Sequence, residues 1–156
     1  MSAFGPYSQP MKLDLSITPC AGHATGAVYQ FAEGVWPDPI VGGVFIGEAA
    51  FDFVEPLIKR AWPQWEGMDR YGVTRIAHPS CVALINELRD AADKADRRSL
   101  PPEWLGNSGA YEPDQVRLEF DANPGRYEEA AALFRGVAEW LEGAMARTDE
   151  LSLLGI

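Results

Sequence analysis

Four side chains in this sequence stand out for their chemistry. Its only two cysteines and only two histidines fall as Cys20-Ala21-Gly22-His23 and His78-Pro79-Ser80-Cys81. A two-residue spacer lets both ligands of a half-site face one ion, so two such halves would make a tetrahedral Cys2His2 zinc site. The competing reading is plain packing, because Cys81 also fits the apolar face of a helix and a free cysteine behaves there as a small hydrophobe. A second chemistry uses Cys81 as a nucleophile. A thiol in the first turn of a helix has its pKa lowered by the helix dipole, and His78 or His23 would serve as base. The third member, an Asn or Asp orienting that base, is not identifiable from the order of residues.

Acidic pairs are the next candidates. Glu66 with Asp69, and Glu119 with Asp121, have the residue types for acid/base or cation work. With 23 acids in the chain, a solvated acidic surface explains them as well. The chain has no phosphate-cradling glycine loop, no G-x-G-x-x-G after a strand, no H-E-x-x-H and no G-x-S-x-G, so the common nucleotide and hydrolase signatures are missing. No residue is assigned to catalysis or to a cofactor on this reading.

These side chains need a scaffold, and the bulk composition says what kind. At 156 residues, with 47% hydrophobic and 23% charged, the chain is long enough to bury one core and apolar enough to fold. A net charge of −10 repels a polyphosphate surface, which argues against nucleic acid as a partner and suits a basic protein partner or simple solubility. Two cysteines are too few for a disulfide scaffold. The N-terminus lacks the charged-then-apolar order of a signal peptide, and no window is apolar for long enough to span a membrane. A cytoplasmic protein is the expectation.

Along the chain, residues 1–11 read as a flexible arm and 12–156 as a single globular domain. Lys12 to Thr18 alternates, with Leu13, Leu15 and Ile17 on one side, the pattern of a half-buried strand. Ala27 to Phe31 is a second strand. Ile40 to Ile46 is a third, with Gly42 and Gly43 marking a bulge or a close backbone approach. Phe51, Val54, Leu57, Ile58 and Ala61 have helical spacing, and Pro56 predicts a start near Glu55 or a kink. Tyr71 to Ala77 is a short strand. From Pro79 to about Arg97, Cys81, Leu84, Ile85, Leu88, Ala91, Ala92 and Ala95 form the stripe of an amphipathic helix. Residues 99–114 form a long connection. Gln115 to Phe120 alternates and reads as another strand, followed by a helix start with Asn123 as cap and Pro124 in first position. The last helix runs to about Arg147. The apolar tail, Leu151 to Ile156, docks on the core or joins a homodimer contact. The fold class is therefore α+β, a small and mainly antiparallel sheet with three helices packed on one side.

One stretch is richer than its surroundings. Trp62 to Ile76 packs two tryptophans, a tyrosine, a methionine and charges of both signs between a helix and a strand. Trp, Tyr, Met and Arg are the types enriched at protein interfaces. Trp65, Glu66, Asp69, Arg70, Tyr71 and Arg75 are the expected partner-binding residues. The plain alternative places the tryptophans under a loop as core.

Three pieces together, Phe51-Asp52-Phe53-Val54-Glu55-Pro56-Leu57, Tyr71-Gly72-Val73-Thr74-Arg75-Ile76 and the closing Leu151-Ser152-Leu153-Leu154-Gly155-Ile156, resemble small acidic bacterial proteins of unassigned function, some of them similar to immunity proteins of toxin systems. The resemblance covers about the last two-thirds of the chain. It implies a binding role, with a protein partner such as a toxin, and carries over no functional residue. A zinc-binding protein and a small enzyme, a hydrolase or transferase, are the other two expectations.

Overall fold

A computed structural model describes residues 13–24, 26, 28–67, 72–99 and 112–155. Strands β1 (Ile17–Ala21), β2 (Val28–Glu33) and β3 (Gly42–Gly47) come first, then helix α1 (Glu48–Ala61), strand β4 (Val73–Ile76) and helix α2 (His78–Asp96). Helices α3 (Pro113–Ala122) and α4 (Gly125–Arg147) and strand β5 (Leu151–Gly155) complete the order. The five strands form one antiparallel sheet in the order β1-β3-β2-β5-β4.

The sheet's two faces differ. Ile17, Ile46, Val44, Phe31, Leu153, Leu151 and Ile76 share one face by register, and they belong to a single core with the buried stripes of α1, α2, α3 and α4. The opposite face carries Gln30, Ala32, Ser152 and Leu154, all buried and none part of that core. All four described helices therefore cover one side. The α+β class holds, with four helices among the described residues where three were expected.

Several elements differ from the sequence reading. Gln115 to Phe120 is helical, inside α3. Val116 and Phe120, four apart, are buried while Leu118 is 68% exposed, so only the helical half of the ambiguous pattern meets the core. Glu112 and Gln115 form a reciprocal capping box, and Pro113 occupies the first turn. That signal was present in the sequence and outweighs the alternation. Asn123 terminates α3 instead of capping α4, whose N-cap is Pro124.

Helix α1 begins at Glu48 and runs through Pro56. An interior proline removes one ladder bond and costs roughly 3 kcal/mol. Pro56 is buried with Phe53, Val54, Leu57 and Ile58, and that burial offsets the lost bond. The first strand starts at Ile17, later than expected, although Leu13 and Leu15 are buried and Asp14 and Ser16 exposed. Gly42 and Gly43 sit in a regular ladder with no bulge, and close approach is their reason. A Cβ on Gly43 would lie 1.9 Å from the Phe31 carbonyl oxygen.

The C-terminal segment is no docked tail. As β5 it lies between β2 and β4, with all five residues buried. Both of its edges are paired, so Leu151–Gly155 offers no open edge to a second copy, and Ile156 lies outside the described residues.

Candidate functional site

Helix α1 stops where Pro63 follows Trp62, and the Trp62 amide still donates to the Ile58 carbonyl at 2.7 Å. The Trp62 ring is buried, and its Nε1 donates to the Ser80 carbonyl at 2.7 Å, joining the end of α1 to the start of α2. A tight turn, with the Trp65 amide on the Trp62 carbonyl at 2.9 Å, brings the second ring edge-on to the first, centroids 6.2 Å apart at 85°. Trp65 is half-buried, and its Nε1 donates to Thr74 Oγ1 on β4 at 3.2 Å. Gly67 adopts φ +98°, a conformation other residues rarely take.

Around this pair the charged groups are solvent-facing. Glu66 is exposed. Arg75 is exposed on β4 and donates to Glu150 Oε2 at 2.7 Å, and Glu150 immediately precedes β5. Of the six expected contact residues, Trp65, Glu66 and Arg75 are thus brought to the β4 end of the sheet. Asp69, Arg70 and Tyr71 lie outside the described residues. Glu150 and its neighbour Asp149 belong to this surface by position and were not singled out in the sequence. Nothing local marks them, because Arg75 and Glu150 are brought together only by strand pairing across 75 positions.

The four Cys and His side chains do not assemble. Cys20 lies on β1 and His23 just past it, where its ring meets Trp36 at 5.7 Å. His78 opens α2 directly after β4, at the other end of the sheet. It pairs with Asp149, Nε2 to Oδ1 at 3.1 Å, and its Nε2 lies 3.5 Å from the Thr148 carbonyl. Among the described residues no three His, Cys, Asp or Glu side chains converge as a metal site. The shared zinc ion is corrected on this geometry.

The nucleophilic reading of Cys81 also gives way. Its side chain is fully buried in the core, and burial pushes the thiol up to about 11, the reverse of activation. Burial likewise raises the Cys20 thiol above its ordinary value. Cys20 accepts from Gln30 Nε2 at 3.3 Å, within a small polar network. Gln30, fully buried on the second face, also donates to the Gly22 carbonyl at 2.9 Å, and its Oε1 accepts the Ala24 amide at 2.9 Å. One glutamine thus secures the loop after β1 across the sheet.

The acidic pairs separate as well. Glu119 and Asp121 are two apart on α3 and point to different sides of the helix. Glu119 is taken up by Arg126 at 3.2 Å and by Asn123 Nδ2 at 3.0 Å. Glu66 is exposed, and its intended partner Asp69 lies outside the described residues. An open groove of about 580 Å³ runs between residues 13–17 and α4, far in sequence from Trp65. Its cation, Arg126, is committed to the Leu13 carbonyl, Glu119 and Glu129. The groove therefore does not present Arg126 as a ready anion site.

Comparison with protein-family models, with curated proteins and with solved structures gave no match. Among the described residues no helix is long and apolar enough to cross a membrane.

Proposed function

We propose that this chain is a protein-binding domain of the kind that neutralises a partner protein, as the immunity proteins of toxin systems do. Its contact surface is centred on Trp65 and Arg75. The observation that carries this reading is the Trp65 ring. It is held by Trp62 on one side and Thr74 on the other, yet keeps part of its surface in water. A pre-positioned aromatic ring loses little freedom on binding, and rings of this kind anchor interfaces. Around it stand Glu66 and the Arg75–Glu150 pair, the mixed polar rim expected of such a patch. The net charge of −10 favours fast encounter with a basic partner.

The test is co-expression with candidate toxic proteins encoded beside its gene. Protection of the host and a stable complex on size exclusion are expected. Arg75→Glu should weaken the complex while leaving the melting temperature of the free protein near that of the wild type. Trp65→Ala should weaken it and also lower the melting temperature, because the ring packs on the core and donates to Thr74. Absence of a complex with every candidate, or full protection by both variants, overturns the reading.

A further inference from the structure

The two end strands of the sheet are built differently. In an antiparallel ladder, alternate residues turn both backbone groups toward one neighbour and the intervening residues turn theirs the other way. On β1 the Gly22 amide donates to the Val41 carbonyl at 2.9 Å, the step after Ala21↔Gly42 in the register. Thr18, Cys20 and Gly22 therefore ladder to β3, and Ile17, Pro19 and Ala21 face outward. Pro19 has no amide hydrogen, so the middle outward position of β1 lacks a donor. That edge is blocked in the way natural sheets block edges.

Among the described residues strand β4 has no proline at an outward position; its edge is short and carries one charged side chain, Arg75. The Gly155 amide donates to the Gly72 carbonyl at 3.0 Å, which continues the Val73↔Leu154 register by one step. Gly72, Thr74 and Ile76 thus ladder to β5. Val73 and Arg75 turn their amides and carbonyls outward, at the last strand of the sheet. Their side chains are exposed, Val73 by 44% and the Arg75 side chain by 65%. At the end of this edge stand two acids, Asp149 with a side chain 91% exposed and Glu150 at 57%.

From this asymmetry we propose that β4 is a strand-addition site, which takes an extended segment of a basic partner protein. The inference rests on the binding-domain reading and specifies how the partner is held. The outward amides and carbonyls of Val73 and Arg75 supply main-chain hydrogen bonds, a recurring way for an exposed sheet edge to hold an extended peptide. Charge chooses the occupant. A second copy would bring another net charge of −10 to the same edge, whereas a basic segment is attracted by the charge of the whole chain. Beside the edge Glu150 is paired with Arg75 and Asp149 with His78, so the local charges add little to that attraction.

The probe is a display library of random short peptides, selected on the full-length protein. Enriched peptides should carry net positive charge and bind with slowed hydrogen exchange at the Val73 and Arg75 amides. The Thr74 and Ile76 amides, already laddered to β5, should change little. Val73→Pro removes one outward donor and should weaken the enriched peptide by up to about tenfold. Val73→Ala, which keeps the amide, should weaken it less. If Val73→Pro also lowers the melting temperature, a peptide N-methylated at alternate positions makes the same subtraction on the ligand and should lose binding to the wild-type protein. Enriched peptides of acidic character, full binding by the methylated peptide, or unaltered exchange at Val73 and Arg75 would each overturn the proposal. So would a homodimer that already protects those two amides. A protein partner that covers Trp65 but leaves the Val73 and Arg75 amides exchanging overturns strand addition while the binding-domain reading stands.

Discussion

The indole nitrogen of Trp65 donates to the hydroxyl of Thr74 at 3.2 Å, and this contact ties the α1–β4 connection to the end strand of the sheet. Thr74→Val keeps the shape and removes the acceptor. It should cost about 0.5–1.5 kcal/mol in urea denaturation. It should also weaken partner binding, because the ring would no longer be held in place. Unchanged binding with reduced stability would limit this contact to a structural role.

Gln30 makes a sharper stability prediction. Its side chain bonds the Gly22 carbonyl, the Ala24 amide and Cys20 Sγ while fully buried. Gln30→Leu deprives the loop of those partners and should destabilise by about 1–3 kcal/mol. Amide exchange of Ala24 should rise by a larger factor than that of the helices.

Gly43 is the least replaceable residue of the sheet. Its Cβ position lies 1.9 Å from the Phe31 carbonyl oxygen, and backbone cannot move aside as a flexible side chain would. Gly43→Ala should destabilise by more than about 3 kcal/mol or prevent folding. A soluble variant of near wild-type melting temperature would contradict the β2–β3 register.

Asp52 gives the protein a pH signature. Burial first, then Glu55 and Glu48, raise its carboxyl to about 6 from 3.8. The folded state then binds the proton more tightly than the unfolded state, so this group's contribution to stability falls as pH rises from about 4 to about 6. The shift bounds the effect at about 3 kcal/mol, and partial solvent exposure reduces it. Asp52→Asn should therefore stabilise the protein above pH 6, by about 1–2 kcal/mol, and little below pH 4. Chemical denaturation of both proteins across that range checks the sign.

The two thiols should differ in access. Cys81 is fully buried and Cys20 partly exposed, with no disulfide between them. A thiol reagent at neutral pH should modify Cys20 slowly and Cys81 only after unfolding. Rapid modification of Cys81 in the native protein would reopen the nucleophile reading.

Local periodicity made α2 and α4 legible, because a helix stripe needs only neighbours three and four residues apart. Every residue assigned to the α2 stripe, from Cys81 to Ala95, is buried. Alternation was a weaker guide. Val116, Leu118 and Phe120 fit a strand, while Val116 and Phe120 also fit one helix face, and the capping box at Glu112 and Gln115 decided for the helix. Of the candidate surface, Trp65, Glu66 and Arg75 were readable from residue type, whereas Glu150 was not.

By itself the sequence determined the class, the acidity, the two long helices and the aromatic connection, since each depends on composition or on neighbours along the chain. Only the tertiary structure decided that Leu151–Gly155 is an inner strand, that β4 ends the sheet, and that Cys20 and His78 stand at opposite ends of it. The physical reason is the same in each case. Strand pairing joins residues far apart in sequence, such as Phe31 with Leu153, through backbone groups that every residue carries alike.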